Sequence, residues 1–382
     1  MNLDDPVDLT RALIRIDSVN SSLVPGASGE SEVADFVSGW LTERGFECHR
    51  LEATKGRPSI VAVAKGTGDG ASIMLNGHID TVSLASYENE TGLIDLVQDG
   101  NIYGRGSYDM KSGVAAMMIA AAKVAGEKPR GDIILALVAD EEFASAGTEE
   151  VIKNGFTADG AIIVEPSGLD ITIAHRGFAW YEVDIIGQAA HGSRPELGID
   201  AIVKAGKFLV KLGEHGERLL ASEKHSLLNT GSLHASIIKG GEELSSYPAL
   251  CTISIERRTI PGETAQSGAD ELQEILEAIA AEDNDFKFEI RTLFERSTFA
   301  VDPQDRIVTT LASNFKAITG REATQRGEPF WTDCALLQDA GIPSVLFGVD
   351  GAGAHAAVEW TTIESLNTVT EVLEKTIREF VS

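Results

Sequence analysis

Leu9, Leu13 and Ile16 recur at helical spacing behind Asp5-Pro6, a capping residue followed by a first-turn proline. The spacing predicts a helix there and a second over 31–44, closed by Gly45. Strands are expected at 46–52, 59–64 and 72–75, and Asp99-Gly100 centres a hairpin over 97–102. An alanine-rich apolar helix covers 112–124. The run IILALVA marks a buried strand at 132–139, followed by a helix at 148–153 and a strand at 160–164. Strands alternating with helices predict an α/β fold with parallel strands at its centre. The pattern changes near Gly177. An alternating strand (178–186), an amphipathic helix (199–220), two strands (233–238, 250–259), a helix (265–281) and a strand (286–293) follow. That β-α-β-β-α-β order is the split pattern of an α+β ferredoxin-like module. Helices at 305–319, 331–340 and 362–380, with a strand at 344–347, close the chain. The expected architecture is a discontinuous α/β domain from 1–176 and 294–382, interrupted by a smaller α+β domain at 177–293.

Charge narrows the possible partners. The 382 residues carry 59 acids against 32 bases, a formal net charge of −27. Nucleic acid and anionic membrane surfaces repel such a chain. The cysteines Cys48, Cys251 and Cys334 are odd in number and form no CxxC, which argues against a disulfide framework and for a reducing compartment. The first twenty residues hold no apolar run of the signal-peptide kind, and no stretch approaches a membrane span. A cytoplasmic protein is expected.

The chemistry gathers where strands end. The strand at 72–75 runs into Asn76-Gly77-His78-Ile79-Asp80, and that at 132–139 into Asp140-Glu141-Glu142. The strand at 160–164 runs into Glu165, the hairpin leads to Asp109, and the strand at 344–347 leads towards His355. In open α/β sheets ligands bind at the carboxyl edge of the strands. Two histidines and several carboxylates gathered there make a binuclear metal site, suited to zinc, cobalt or manganese. Asp109, alone between glycines and a helix start, is the candidate bridge. Asp80 can fix the tautomer of His78. Of Glu141 and Glu142, one can ligate metal while the other faces the substrate water as general base. Taken singly, each motif has an ordinary alternative. Asp109 could cap the following helix, and the DEE run could be a solvated helix start. Together they point to metal, because buried like charges are costly without a cation.

At these residues the sequence resembles the zinc metallopeptidases and deacylases that include N-acetylornithine deacetylase, succinyl-diaminopimelate desuccinylase, aminoacylase and carboxypeptidase G. The stretches that carry the resemblance are NGHIDTV (76–82), GRGSYDMKSG (104–113), DEEFASAGT (140–148), VEPSG (164–168), AAHGSRPELGIDAI (189–202), RRTIPGE (257–263) and GAGAHAAVEW (351–360). It implies a zinc-peptidase-like catalytic domain with a central mixed sheet and an inserted lid and dimerisation domain. His78 and Glu165 would bind one divalent ion, Glu142 and His355 the other, and Asp109 would bridge them. Zinc is the first choice of metal. Asp80 would orient His78, Glu141 would be the general base and acid, and the Asp109–Met110 peptide would be cis. His191 would reach the partner subunit's active site to support the oxyanion, and Arg258 would grip a substrate carboxylate. Without the resemblance, His191 reads as a surface-loop residue and Arg258 as a strand-end charge paired with Glu256 or Glu263. Ser245-Ser246-Tyr247-Pro248 departs from the family's usual Asn before this proline, and Ala356-Ala357-Val358 replaces the more polar residues of typical acetylornithine deacetylases. The implied activity is two-metal hydrolysis of N-acyl-L-amino acids by a homodimer. The alternatives are a di- or tripeptidase or carboxypeptidase of the same family acting on short peptides, and a non-catalytic metal- or amino-acid-binding protein.

Overall fold

A computed structural model of the chain describes residues 1–85, 87 and 92–382. The chain first runs through α1 (Pro6–Ile14), α2 (Ser31–Thr42), β1 (Glu47–Leu51), β2 (Ser59–Ala64), β3 (Ile73–His78), β4 (Leu96–Gln98), β5 (Asn101–Tyr103) and α3 (Lys111–Gly126). It continues through β6 (Ile133–Val138), α4 (Ala146–Lys153), β7 (Gly160–Ile163) and β8 (Ile171–His175). Next come β9 (Gly177–Ile186), α5 (Ala201–Leu220), β10 (Ser232–Gly240), β11 (Leu250–Thr259), α6 (Ala265–Glu282), β12 (Lys287–Arg296) and β13 (Phe299–Ala300). The last segment holds α7 (Arg306–Thr319), β14 (Gln325–Glu328), α8 (Cys334–Asp339), β15 (Ser344–Leu346), β16 (Gly351–Ala352), β17 (Trp360–Thr362) and α9 (Ile363–Phe380).

These elements form two compact units. The first comprises Met1–Ile173, Val301–Arg326 and Thr332–Ser382, and the second Ala174–Ala300 and Gly327–Trp331. The division falls three residues before the 176/177 boundary expected from the sequence and seven after the 293/294 one. It also moves 327–331 into the second unit. That segment is tied there by the Arg176 N–H, which donates to the Glu328 carbonyl, and by the Trp331 ring against Phe178. Its departure from helical form explains why α8 starts at Cys334 rather than at 331.

In the first unit a mixed sheet runs in the order β1-β2-β6-β3-β7-β15-β8. Strands β6, β3, β7 and β15 are parallel neighbours, while β1–β2, β2–β6 and β15–β8 pair antiparallel. Both β3 and β6 are buried at every position. Strands covered on both faces need continuous apolar runs, which is why IILALV shows no alternation. Helix α3 packs on α9 and α1, and α4 on α8. Being enclosed, α3 is apolar almost all round, with Lys111–Ala121 buried. Asp5 caps α1 as its sequence predicts, accepting from the Val7 and Asp8 N–H groups.

A small antiparallel sheet, β16-β17-β5-β4, lies in the same unit. It pairs Trp360 with Tyr103 and Ala352 with Trp360. The loops that follow β5 and β16 therefore leave side by side.

The second unit is a four-stranded antiparallel sheet in the order β10-β11-β9-β12, the ferredoxin-like arrangement. Strands β9 and β11 alternate. Ala179, Tyr181, Val183, Ile185, Cys251, Ile253 and Ile255 meet Phe208 and Leu212 of α5 and Leu272 and Leu276 of α6 in one core. Among the described residues no helix is long and apolar enough to cross a membrane.

Candidate metal centre

Strand β3 carries the first ligand candidate. Its hydrogen-bonded register continues past the apolar run, pairing His78 with Val138, so His78 ends the strand and its side chain is fully buried. Glu165 follows β7, the parallel neighbour, by two residues. The turn of α3 that follows Asp109 comes close to this strand exit because residue 113 is glycine; a Cβ there would collide with the Val164 carbonyl. The Asp109–Met110 peptide is cis. Helix α3 begins at Lys111 with Met110 at its N-cap and no side-chain cap bond. The helix-capping alternative for Asp109 is thereby overturned: the carboxylate turns to two histidines instead.

The distances sort the side chains into two sets that share Asp109. His78 Nε2 lies 3.0 Å from Asp109 Oδ1 and 3.4 Å from Glu165 Oε1. His355 Nε2 lies 3.4 Å from Asp109 Oδ2 and 2.9 Å from Glu142 Oε2. One carboxylate thus presents a different oxygen to each histidine. Measured by ligand atoms within 4.8 Å of one another, His78 also forms triads with Glu141 and Glu165 and with Asp109 and Glu142. His78 therefore stands between the sets. The DEE run does not form a solvated helix start: α4 begins at Ala146, Glu141 and Glu142 both come within reach of His78, and Glu142 also meets His355.

The tautomer of His78 follows from its partners. Nδ1 stands 3.0 Å from the Asp80 backbone carbonyl, which only accepts, so Nδ1 carries a proton and Nε2 points at the carboxylates. The Asp80 carboxylate, expected to orient His78, is 3.7 Å from Nδ1. The main chain of Asp80 makes the shorter contact, because residues two apart at a strand end bring carbonyl and ring together. Its carboxylate instead accepts from Asn20 Nδ2 at 2.7 Å and from the Glu141 and Glu142 N–H groups, both at 3.3 Å. It so fixes the turn that carries the two glutamates.

The electrostatics fit a cation. Burial, then the charge of Glu165, pushes Glu141 well above the usual carboxylate range. Burial likewise raises Glu165 well up, and Glu142 to about 7 with Asp109 beside it. Burial would also raise Asp109, but hydrogen bonds from His355 and His78 outweigh it and hold it low. Burial would lower His78, yet the charges of Glu165 and Asp109 keep it well above its ordinary value. His355 is raised to about 10 by its contacts to Asp109 and Glu142. Crowded buried carboxylates take up protons when no opposite charge is near. A divalent cation supplies that charge, and mixed imidazole and carboxylate donors suit it.

The remaining candidates belong to the second unit. His191 is exposed, with Nδ1 2.8 Å from Ser193 Oγ, and its backbone bridges Ser246. Arg258 on β11 donates to Glu256 at 2.7 Å and lies over the Phe178 ring at 5.1 Å. Of the two acids weighed as its partner, Glu263 pairs with Arg257 instead.

Sequence reasoning passed over several residues around the cluster. Asn20 is buried and joins Asp80 to Asp140. Arg57 holds Glu30 and Asp140 at 2.6 and 2.8 Å. Asp333 is buried beside Thr148 and raised to about 6, chiefly by burial. Glu359 lies in the stretch GAGAHAAVEW, so proximity to His355 was the available signal.

The chain is similar to known proteins along most of its length. The chain is 28% identical over 364 residues to an acetylornithine deacetylase of Myxococcus xanthus, covering 91% of each chain. It is 27% identical over 383 residues to the N-formyl-4-amino-5-aminomethyl-2-methylpyrimidine deformylase of Bacillus subtilis, covering 91% of this chain and 89% of that one. The crystal structure of an aminopeptidase from Bacillus cereus shares the fold, with a TM-score of 0.82 at 20% identity over 100% of both chains. The description of peptidase family M20/M25/M40 matches residues 74–379. That span includes the two acid–histidine sets around Asp109, and the chain belongs to this family of amide-bond hydrolases.

Proposed function

We propose that the protein is a two-metal deacylase that releases the amine from N-acyl-L-amino acids. The observation that carries this reading is Asp109, whose two oxygens face different histidines, each with its own glutamate. His78 and Glu165 would hold one ion, Glu142 and His355 the other, with Asp109 between them. Zinc suits the donors best, and cobalt or manganese would also be accepted. When bound, such ions acidify water and polarise the scissile carbonyl.

Glu141 accepts the proton of the attacking water and later returns it to the leaving amine nitrogen. Asp80 keeps the Glu141 turn in place through the backbone N–H groups it accepts. Following the family resemblance, His191 of one subunit would donate to the developing oxyanion in the other. Arg258 would take the substrate carboxylate with its forked guanidinium. The partner is thus a second copy of the chain, and the compartment cytoplasmic. An edge strand, β10, that exposes Ile237 and Ile238 supports self-association. Both curated relatives described above are named for removing an acyl group from nitrogen, which supports deacylase over peptidase chemistry.

The decisive variant is Glu141→Ala. Turnover is expected to vanish while metal content stays near two ions per chain; retained turnover overturns the assignment. The substrate is found by supplying zinc or cobalt and measuring amine released from acetylornithine, succinyl-diaminopimelate, acetylmethionine and a dipeptide. A preference for the dipeptide would replace the deacylase reading with a peptidase one.

A further inference from the structure

His355 is a ligand candidate that burial does not hold. Its side chain is 56% exposed, and its backbone is left-handed, with φ +61°. The anchor of its loop lies four residues on, at Glu359, which is completely buried. Glu359 Oε1 accepts from the backbone N–H groups of Tyr108 at 3.0 Å and Asp109 at 2.9 Å. Its Oε2 accepts from the Gly106 N–H at 3.0 Å and from Arg105 Nη1 at 2.8 Å. These contacts fill about the four lone-pair positions a carboxylate offers.

Arg105, itself buried, also donates through Nη2 to the Ala356 carbonyl at 3.0 Å, one residue beyond His355. The Gly104 N–H donates to the Glu359 carbonyl at 3.2 Å, continuing the pairing of β5 with β17. Residue 106 takes the left-handed φ of +78°, open to glycine, that this wrap around the carboxylate requires. One buried ion pair therefore fastens the loop ending at Asp109 to the loop carrying His355. An ion pair serving only the fold would need no main-chain donors from the ligand loop. Here three of the four donors are such groups, and one belongs to Asp109 itself.

We propose that Glu359, seated by Arg105, is a positioning residue that sets the spacing of Asp109 and His355 and so the affinity for the second metal ion. His78, which ends β3, and Glu165, two residues past the neighbouring β7, make the first ion depend on it less. The inference rests on the two-ion reading above.

The test is stepwise titration of the metal-free full chain with Zn²⁺ against a chelating competitor, for wild type and Glu359→Gln. Melting of the metal-free samples is followed in parallel. Glutamine keeps the shape but turns an N–H₂ towards N–H donors. The second stepwise affinity is expected to fall about ten- to hundredfold and the first, which shares only Asp109 with it, by much less, so that their ratio changes. A purely structural role would lower the melting temperature and leave the ratio of the two affinities as in wild type; that result overturns the proposal. If Glu359→Gln does not fold, Arg105→Lys serves in its place. It keeps the charge but cannot span Glu359 and Ala356 as a guanidinium does. The same split is expected, and an unchanged ratio again overturns the proposal. Uptake of a single ion by wild type would defeat the two-ion reading and this inference with it.

Discussion

His78 and Glu165 stand at the ends of β3 and β7, paired parallel strands in the middle of the sheet. Glu142 and His355 stand on loops, and His355 is more than half exposed where His78 is fully buried. The sheet-borne half is therefore held by the same register and core that hold the domain. The loop-borne half is held by a few polar contacts: the Asp80 carboxylate under the Glu141-Glu142 turn, and Glu359 under the His355 loop. The same kind of ligand can thus be fixed by folding itself or by a local hydrogen-bond network. The two differ in what a mutation costs.

The largest effect is expected where the halves meet. Asp109→Ala removes the shared oxygens, so both ions should be lost and turnover should fall to background. Metal analysis of the purified variant checks this, and two retained ions would contradict the shared role. The comparison is sharpest in a pair of variants. His78→Ala leaves Glu165 and Asp109 buried without their cationic partner, a change of the kind that costs about 3–5 kcal/mol. His355→Ala also takes a cationic partner from Asp109 and Glu142, but at a site open to water, so it should cost the metal-free fold clearly less than His78→Ala. Urea unfolding of the metal-free proteins separates them, and equal losses would erase the distinction between the halves. A smaller effect is expected from Asn20→Ala, which frees the Asp80 carboxylate from its 2.7 Å partner. Metal content should stay at the wild-type value while kcat/KM falls by about tenfold, the low end for an outer hydrogen-bond partner. Unchanged kinetics would show that the Glu141 turn holds without it.

Much of the fold could be read along the chain. The alternation at 178–186 and 250–259 marked strands of the second unit, and the unbroken run IILALVA marked a buried strand. The misreadings have physical causes. Strand β3 was expected to stop at Leu75, where apolar residues stop, but backbone pairing with β6 carries it through Asn76 and Gly77 to His78. Strand β8 went unread because ITIAH is short and its partners, β15 and Phe299-Ala300, lie more than a hundred residues away. Helix α8 was drawn too long because Gly327–Trp331 joins the second unit. In the cluster, residue types and strand-end positions were legible. The route by which Asp80 acts was not, since its carbonyl and carboxylate take different partners.

Local chemistry alone therefore specified which side chains could serve: two histidines and a set of carboxylates, each at the exit of a predicted strand or hairpin. It specified Asp109 as the candidate bridge through its place between glycines and a helix start. Only the folded chain decides how they pair. Asp109 and His355 are far apart in sequence, and their contact depends on the register that sets Trp360 opposite Tyr103. Glu359 shows the same dependence. A buried carboxylate acquires its role from the donors that surround it, and those donors arrive only when two distant loops close on it.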